Sequence, residues 1–517
     1  MNTAFAGGIL TNSNQSAQFV RMLSRNASTD LDAVYFNPAG LTQLKDGFYF
    51  GLHNQTITQN RTINSGFPLL NTAEYKGKVF APVFPTAFAV YKMDKWAFSA
   101  GFGPNGGGGS AKYDTGLPSF EKLISSIPAS LRASGIPTTA YSTNISFEGS
   151  SVFWGSQLNG TYAINDMISV SAGVRVIMAN NTYNGYLKDI MINPNYPAFK
   201  ASYTGGMVSA TQFFADGNTF LKGLATNSTA VATGLSSAIS GGAPAATPLS
   251  AMPATTVAAV TQLLGAAGIS ATGMNIGTAA ATLNAVAVGF SGKAATMDAN
   301  SVATADKNVD TKQTGTGFTP MIGVDIHLDK LNIGLKYEMQ TTLKLTNKTV
   351  VDGTGMFKDG DESRSDIPAI LAAGADYKVT DKLKLSGSYS LYFDKNVNWG
   401  GNVYGQLRTI DKNYVELAFG VEYNLTKNFA VSAGYLNSNT GVSEQYQSDF
   451  SYSNDSYTTG LGFQWNMGKK LVLDAGAMMT TYKDETKSFT DANFGTYKET
   501  YGKDTFTIAF GIGYKIF

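Results

Sequence analysis

Apolar and polar residues alternate with a period of two from about Asp46 to Phe517, in run after run, as strands with one face in each of two environments do. The connections between these runs alternate as well. Six are very short: Met93-Asp94-Lys95, Ile164-Asn165-Asp166, Leu328-Asp329-Lys330, Thr380-Asp381, Leu425-Thr426-Lys427 and Met467-Gly468-Lys469. Those between them are long, two of them far longer than the rest. Bacterial outer-membrane barrels have short periplasmic turns and long extracellular loops, and this order has the same asymmetry. A soluble β-sandwich has no reason to keep its short turns at one end. The pattern predicts an all-β chain: a transmembrane antiparallel β-barrel of about 14 strands, near 46–64, 78–93, 95–103, 145–164, 167–190, 313–328, 331–349, 364–379, 382–395, 412–425, 427–438, 449–467, 469–483 and 500–517.

Within one strand Leu331, Ile333, Leu335, Tyr337 and Met339 alternate with Asn332, Gly334, Lys336, Glu338 and Gln340. In another, Val415, Leu417, Phe419, Val421 and Tyr423 alternate with Glu416, Ala418, Gly420 and Glu422. The apolar set is expected to face lipid and the polar set the lumen. Aromatic residues crowd the short turns (Tyr91, Trp96, Tyr162, Tyr377, Tyr423, Phe429, Trp465, Tyr514) and read as a girdle at the membrane boundary. In the last strand Phe506, Ile508, Phe510, Ile512, Tyr514 and Ile516 form one face, and pairing of this strand with the first would close the barrel. The terminal Phe517 is similar to the signal by which barrel-assembly machinery recognises its clients, although the apolar phase is one residue off the commonest pattern.

Two loops depart from a plain barrel. The first, about 104–144, opens with Gly106-Gly107-Gly108-Gly109; Phe120, Leu123, Ile124 and Ile127 then have the spacing of one face of a short helix, ended near Pro128. The second, about 191–312, is rich in Ala, Gly, Ser and Thr and carries no charge between Lys222 and Lys293. Val257, Val260, Leu263 and Leu264 suggest a short helix there. Both loops are expected to form weakly helical elements over the barrel mouth, and their apolar faces are candidates for a ligand-capture groove or for packing among themselves.

Residues 1–45 do not alternate. They include Gly7-Gly8-Ile9-Leu10, a helical spacing of Phe19, Met22 and Leu23, and the run Asp32-Ala33-Val34-Tyr35-Phe36-Asn37-Pro38-Ala39-Gly40-Leu41 just before the first strand. With the strand count and the long loops, that run resembles the FadL/TodX family of outer-membrane transporters for long-chain fatty acids and other hydrophobic compounds. The resemblance implies a hatch over 1–45 that plugs a barrel over 46–517, with Phe36, Asn37, Pro38, Ala39 and Gly40 at the core of the hatch. It further implies capture of an apolar ligand between extracellular loops, passage to a pocket in the lumen, rearrangement of the hatch and sideways exit through the barrel wall.

Composition narrows the field. No run of eighteen apolar residues occurs, so a membrane protein of spanning helices is excluded. Glycine is abundant (56 residues), aromatics reach 12% and charged residues only 15%, a mix that suits a lipid-facing barrel. The net charge of +1 gives no argument for nucleic acid. There is no cysteine, and His53 and His327 stand far apart, so neither disulfides, a metal centre, a cofactor nor a hydrolase triad is expected. Met1 is followed by Asn2-Thr3-Ala4 without a basic region or apolar core, and the chain reads as a mature one.

The expected function is passive outer-membrane transport, not enzymatic, of long-chain fatty acids or other hydrophobic small molecules, by a monomer among outer-membrane lipid and lipopolysaccharide. A docking barrel for secreted proteins is the alternative; a porin is disfavoured because a hatch would block its channel. Burying an alkyl chain gains about 0.8 kcal/mol per methylene, enough for a modest groove to hold a ligand. By alternation Arg175 and Lys336 point inward, where they either meet a ligand carboxylate or pair with acids such as Glu338, Glu416 or Glu422. His327 and Asp325 read as a satisfied luminal pair. Pro82 and Pro85, inside the second strand, remove ladder donors and mark either a wall opening or a bulge.

Overall fold

The computed structural model describes residues 9–400 and 408–517, so Gly7 and Gly8 lie outside the described residues. Fourteen antiparallel strands close into one barrel. They are β1 (Gly47–Ser65), β2 (Glu74–Met93), β3 (Trp96–Tyr113), β4 (Tyr141–Ala163), β5 (Ile168–Ile192) and β6 (Lys307–His327), then β7 (Leu331–Glu338 continuing as Lys344–Asp352) and β8 (Glu362–Arg364 continuing as Ile370–Lys378). The sheet goes on with β9 (Leu383–Tyr392), β10 (Tyr414–Asn424), β11 (Phe429–Asn439), β12 (Ser456–Met467), β13 (Leu471–Tyr482 continuing as Glu485–Asp491) and β14 (Gly495–Lys515). The β1–β14 seam runs from Tyr49 opposite Lys515 to Ser65 opposite Glu499, so the sheet has no free edge at its ends.

The alternation sets the faces as expected. Leu335, Tyr337, Leu417, Phe419, Phe506, Ile508 and Phe510 point outward and are exposed, while Asn332, Lys336, Glu338 and Glu416 are buried inside. Outward apolar side chains of this number need a hydrocarbon surround. Tyr91, Trp96, Tyr377, Tyr423, Trp465 and Tyr514 ring the short-turn end, where the Trp96 ring packs 4.6 Å from that of Tyr162.

Three expectations need correction. The glycine run taken as the start of a loop belongs to β3, which continues to Tyr113. Glycine carries no polarity signal, so alternation disappears there while the strand does not. Pro128 does not end a helix: α3 (Pro118–Ser125) stops before it, and Pro128 stands in the first turn of α4 (Ile127–Ala133), where its missing N–H has no partner to lose. The third concerns the long loop, which holds two long helices and not only a short one.

The chain forms two compact units. The barrel unit comprises the chain up to Lys122, Ile145–Tyr186 and Lys307–Phe517. The other unit, Leu123–Asn144 with Leu187–Asp306, is built on α5 (Ala210–Ser240), α6 (Ala254–Ala266) and α7 (Ile276–Ala303). Its core packs Leu221, Leu235, Val260, Leu264, Leu283 and Phe290. Helix starts are marked by capping oxygens: Ser209 accepts from the Gln212 N–H and Asn275 from that of Thr278, the latter at 2.8 Å. Among the described residues no helix is long and apolar enough to cross a membrane.

Candidate functional site

The N-terminal segment folds inside the barrel unit. Its first helix, α1 (Ala17–Met22), is capped by Ser16, whose Oγ accepts the Phe19 N–H at 2.9 Å. Leu23 then takes a left-handed turn, φ 65°, that ends the helix. A short helix α2 (Ala33–Phe36) follows, and Pro38 opens a 3-10 turn over Pro38–Gln43. Burial forces every charge here to find a partner. Arg21 donates to Asp474 Oδ1 at 2.9 Å, to Ser432 Oγ at 3.0 Å and to Glu422, so it ties the hatch to β10, β11 and β13. Arg25 bridges Asp30 and Asp32 at 2.7 Å each and folds the hatch on itself. The barrel wall makes room with glycine: a Cβ on Gly434 would stand 1.8 Å from the Met22 carbonyl oxygen, so no side chain fits where α1 meets β11.

The Phe36–Gly40 run is buried throughout and bonded to two strands. Asn37 Nδ2 donates to Asp325 Oδ1 on β6 at 2.6 Å and to the Ser28 carbonyl at 3.1 Å. Thr161 of β4 donates to the Pro38 carbonyl at 2.9 Å. Phe36 stacks on Phe19 with centroids 5.7 Å apart, and a Cβ on Gly40 would strike the Ser28 oxygen at 2.6 Å. His327 does not pair with Asp325; it contacts Asn332 at 3.1 Å, and Asn332 donates to Asp325 at 2.8 Å.

Arg175, Lys336 and Glu338 do meet in the lumen. Glu338 accepts from Arg175 at 2.7 Å and from Lys336 at 2.7 Å. The two cations lie on the Tyr35 ring, 4.7 Å and 4.8 Å from its centroid, and Lys336 also donates to the Tyr35 carbonyl. Both charges are therefore spent on Glu338 and on the hatch. Burial pushes the Tyr35 hydroxyl well above its ordinary pKa, so it stays a donor, here to the Asn12 carbonyl at 3.1 Å.

Around Pro82 and Pro85 the wall changes character. The β2–β3 ladder holds from Met93–Trp96 to Ala87–Phe102, then lapses until Val79–Ala111. On the other side the β1–β2 register slips between Gln55 and Ile57, and the Pro82 carbonyl is taken by Thr56 Oγ1 at 3.0 Å. The edge of β3 left by β2 is occupied by the hatch: Gly107 N–H donates to Leu10 O and Asn12 N–H to Asn105 O, each at 2.9 Å. Gly106 bridges Thr11, and a Cβ there would stand 2.5 Å from the Leu10 oxygen. A cavity behind the break is lined by Gln15, Tyr35, Thr86, Phe88, Asn105 and Gln157.

The loop candidates do not line one groove. Phe120 makes an aromatic trio with Phe147 and Phe450, centroids 5.4 Å and 5.2 Å away. Ile124 and Ile127 belong to a cluster with Leu131, Phe213 and Phe214, while Leu123 is 70% exposed. Val260 and Leu264 are buried in the helical core and Val257 packs at its margin.

No known family pattern matches the sequence, and no curated protein matches it. Solved structures do. A FadL homologue of Pseudomonas aeruginosa aligns at TM-score 0.58 over 99% of this chain and 100% of its own, with 13% identity. The toluene transporter TodX of P. putida aligns at 0.51 over 95% of each chain with 12% identity, and a TodX deltaS2S3 mutant, a monoaromatic hydrocarbon channel, at 0.54 over 97% of this chain and 99% of its own with 13% identity. With its plugged barrel of fourteen strands, this chain has the FadL/TodX-type fold.

Proposed function

We propose that the protein sits in the outer membrane and admits hydrophobic small molecules, which leave sideways through the break between β2 and β3. The carrying observation is that break, with two prolines on one side and the hatch hydrogen-bonded to the other. A wall gap backed by a movable plug lets an apolar solute pass from lumen to bilayer without entering water. The TodX proteins are described as a toluene transporter and a hydrocarbon channel, which supports an apolar cargo here. Phe36–Gly40 act as the hinge of the hatch, and Arg175, Lys336 and Glu338 hold it through Tyr35.

A cysteine-free chain allows a clean test. Ser24 of the hatch and Ser388 of β9 have their hydroxyl oxygens 2.9 Å apart, so Ser24→Cys with Ser388→Cys can form a disulfide. The oxidised variant is expected to lose uptake of radiolabelled oleate and toluene roughly tenfold or more, with recovery on reduction. Uptake at the wild-type rate in the locked protein would sink hatch movement, and a wild type that takes up neither compound would sink the transport reading.

A further inference from the structure

Thr86 is the first residue of β2 beyond the last rung to β3, Ala87–Phe102, and so stands at the lip of the wall break. It is 2% exposed, and among the described residues its Oγ1 has no hydrogen-bond partner. A buried hydroxyl in that position costs stability unless something bonds it. The neighbouring position on β3 is Gly103, where a Cβ would stand 3.0 Å from Thr86 Oγ1 and 3.3 Å from Gln15 Oε1. On β4 a Cβ on Gly155 would overlap Asn105 Oδ1. These two glycines keep open the cavity that Thr86, Gln15 and Asn105 share, about 10 Å³ in size and room for one water-sized group.

Most of the polar atoms around it are taken. Gln15 Nε2 donates to the Asn12 and Pro104 carbonyls at 2.9 Å and 3.0 Å. Gln157 donates to the Val34 carbonyl at 2.7 Å and accepts from Arg175 Nε at 2.9 Å. Gln15 Oε1 has one long bond, 3.3 Å from Asn105 Nδ2, and an amide oxygen has two lone pairs. One hydroxyl and one acceptor therefore border the space above Gly103 with bonds still to make. The other side of the cavity is formed by the Phe88 and Tyr35 rings.

We propose that Thr86 and Gln15 form a hydroxyl-recognition subsite at the wall break, which takes the O–H of an apolar alcohol or phenol on its way out. The Thr86 hydroxyl donates to the ligand oxygen and Gln15 Oε1 accepts the ligand hydrogen, while Phe88 and Tyr35 offer their rings to its body. A hydrocarbon of the same shape bonds neither group and passes only by leaving both unpaired. The subsite rests on the transport reading above and narrows its cargo to molecules that carry a hydroxyl on an apolar body.

The test compares 4-heptylphenol with 4-heptyltoluene, which differ by a hydroxyl in place of a methyl group. Uptake is measured in cells that carry the full chain, with the uptake of cells lacking it subtracted. The wild type is expected to take up the phenol roughly tenfold faster, the range of one or two neutral hydrogen bonds. Thr86→Val keeps the shape, removes the hydroxyl and should abolish the preference, whereas Thr86→Ser should keep it. Gln15→Met removes the acceptor from the hatch side and should act as Thr86→Val does, so the test does not hang on one variant; heat-dependent gel mobility verifies each barrel. Uptake of the hydrocarbon by the wild type at the rate of the phenol or faster, or a preference that survives the loss of Thr86 or Gln15, overturns the hydroxyl subsite and leaves the transport reading standing. Uptake of neither compound overturns both.

Discussion

Arg21 has no solvent contact and is held by acids on two different strands, Asp474 and Glu422. Removing it leaves Asp474 buried without a cation, while Glu422 keeps Lys384 at 3.1 Å. Arg21→Met should therefore cost about 3–5 kcal/mol, and adding Asp474→Asn should recover part of the loss, both read from thermal melts of the detergent-solubilised protein. Asp394, in the loop between β9 and β10, behaves in the opposite way. Burial pushes its carboxyl up to about 8, only partly offset by the Tyr414 N–H. The folded value lies above the unfolded one, so as pH rises the unfolded chain gives up its proton first. Stability of this loop falls between roughly pH 4 and pH 8 and is flat outside that window. Asp394→Asn should slow amide exchange around residues 392–400 at pH 8 and change nothing near pH 4. Phase along a strand was enough to bring Arg175, Lys336 and Glu338 to one side of the wall. It could not pair Arg21 with Asp474, because that contact depends on where a non-repeating segment comes to rest.

At the level of elements, the strands declared themselves because each carries its own period and its own turn. The helices of the long loop did not. Ala, Gly, Ser and Thr fill α5 and α7, so their buried stripe differs little in polarity from the rest of the surface. The stripe exists all the same: Leu221, Ala225, Ser228, Ala232 and Leu235 step down α5 at helical spacing, as do Leu283, Val286, Phe290 and Ala294 down α7. Phe290 is the largest side chain among them. Phe290→Ala should cost the helical unit about 3–5 kcal/mol. The loss should show as faster amide exchange over α5 and α7, with the exchange of the β1–β14 seam unchanged.

For the molecule as a whole, the turn asymmetry carried the architecture and the Asn37-Pro38 run carried the plug. What the sequence left open was the junction of the two. Pro82 and Pro85 announced missing donors in β2, but nothing in the chain revealed that Leu10–Asn12 would bond the edge they leave on β3. That junction makes the plug part of the wall. With Arg21 bonded to β10 and β13, Asn37 to β6 and residues 10–12 to β3, the N-terminal segment is fastened at several points around the lumen. A variant without it is therefore expected to lose stability in the wall itself and not only to stand open, as a keystone does more for an arch than fill its gap.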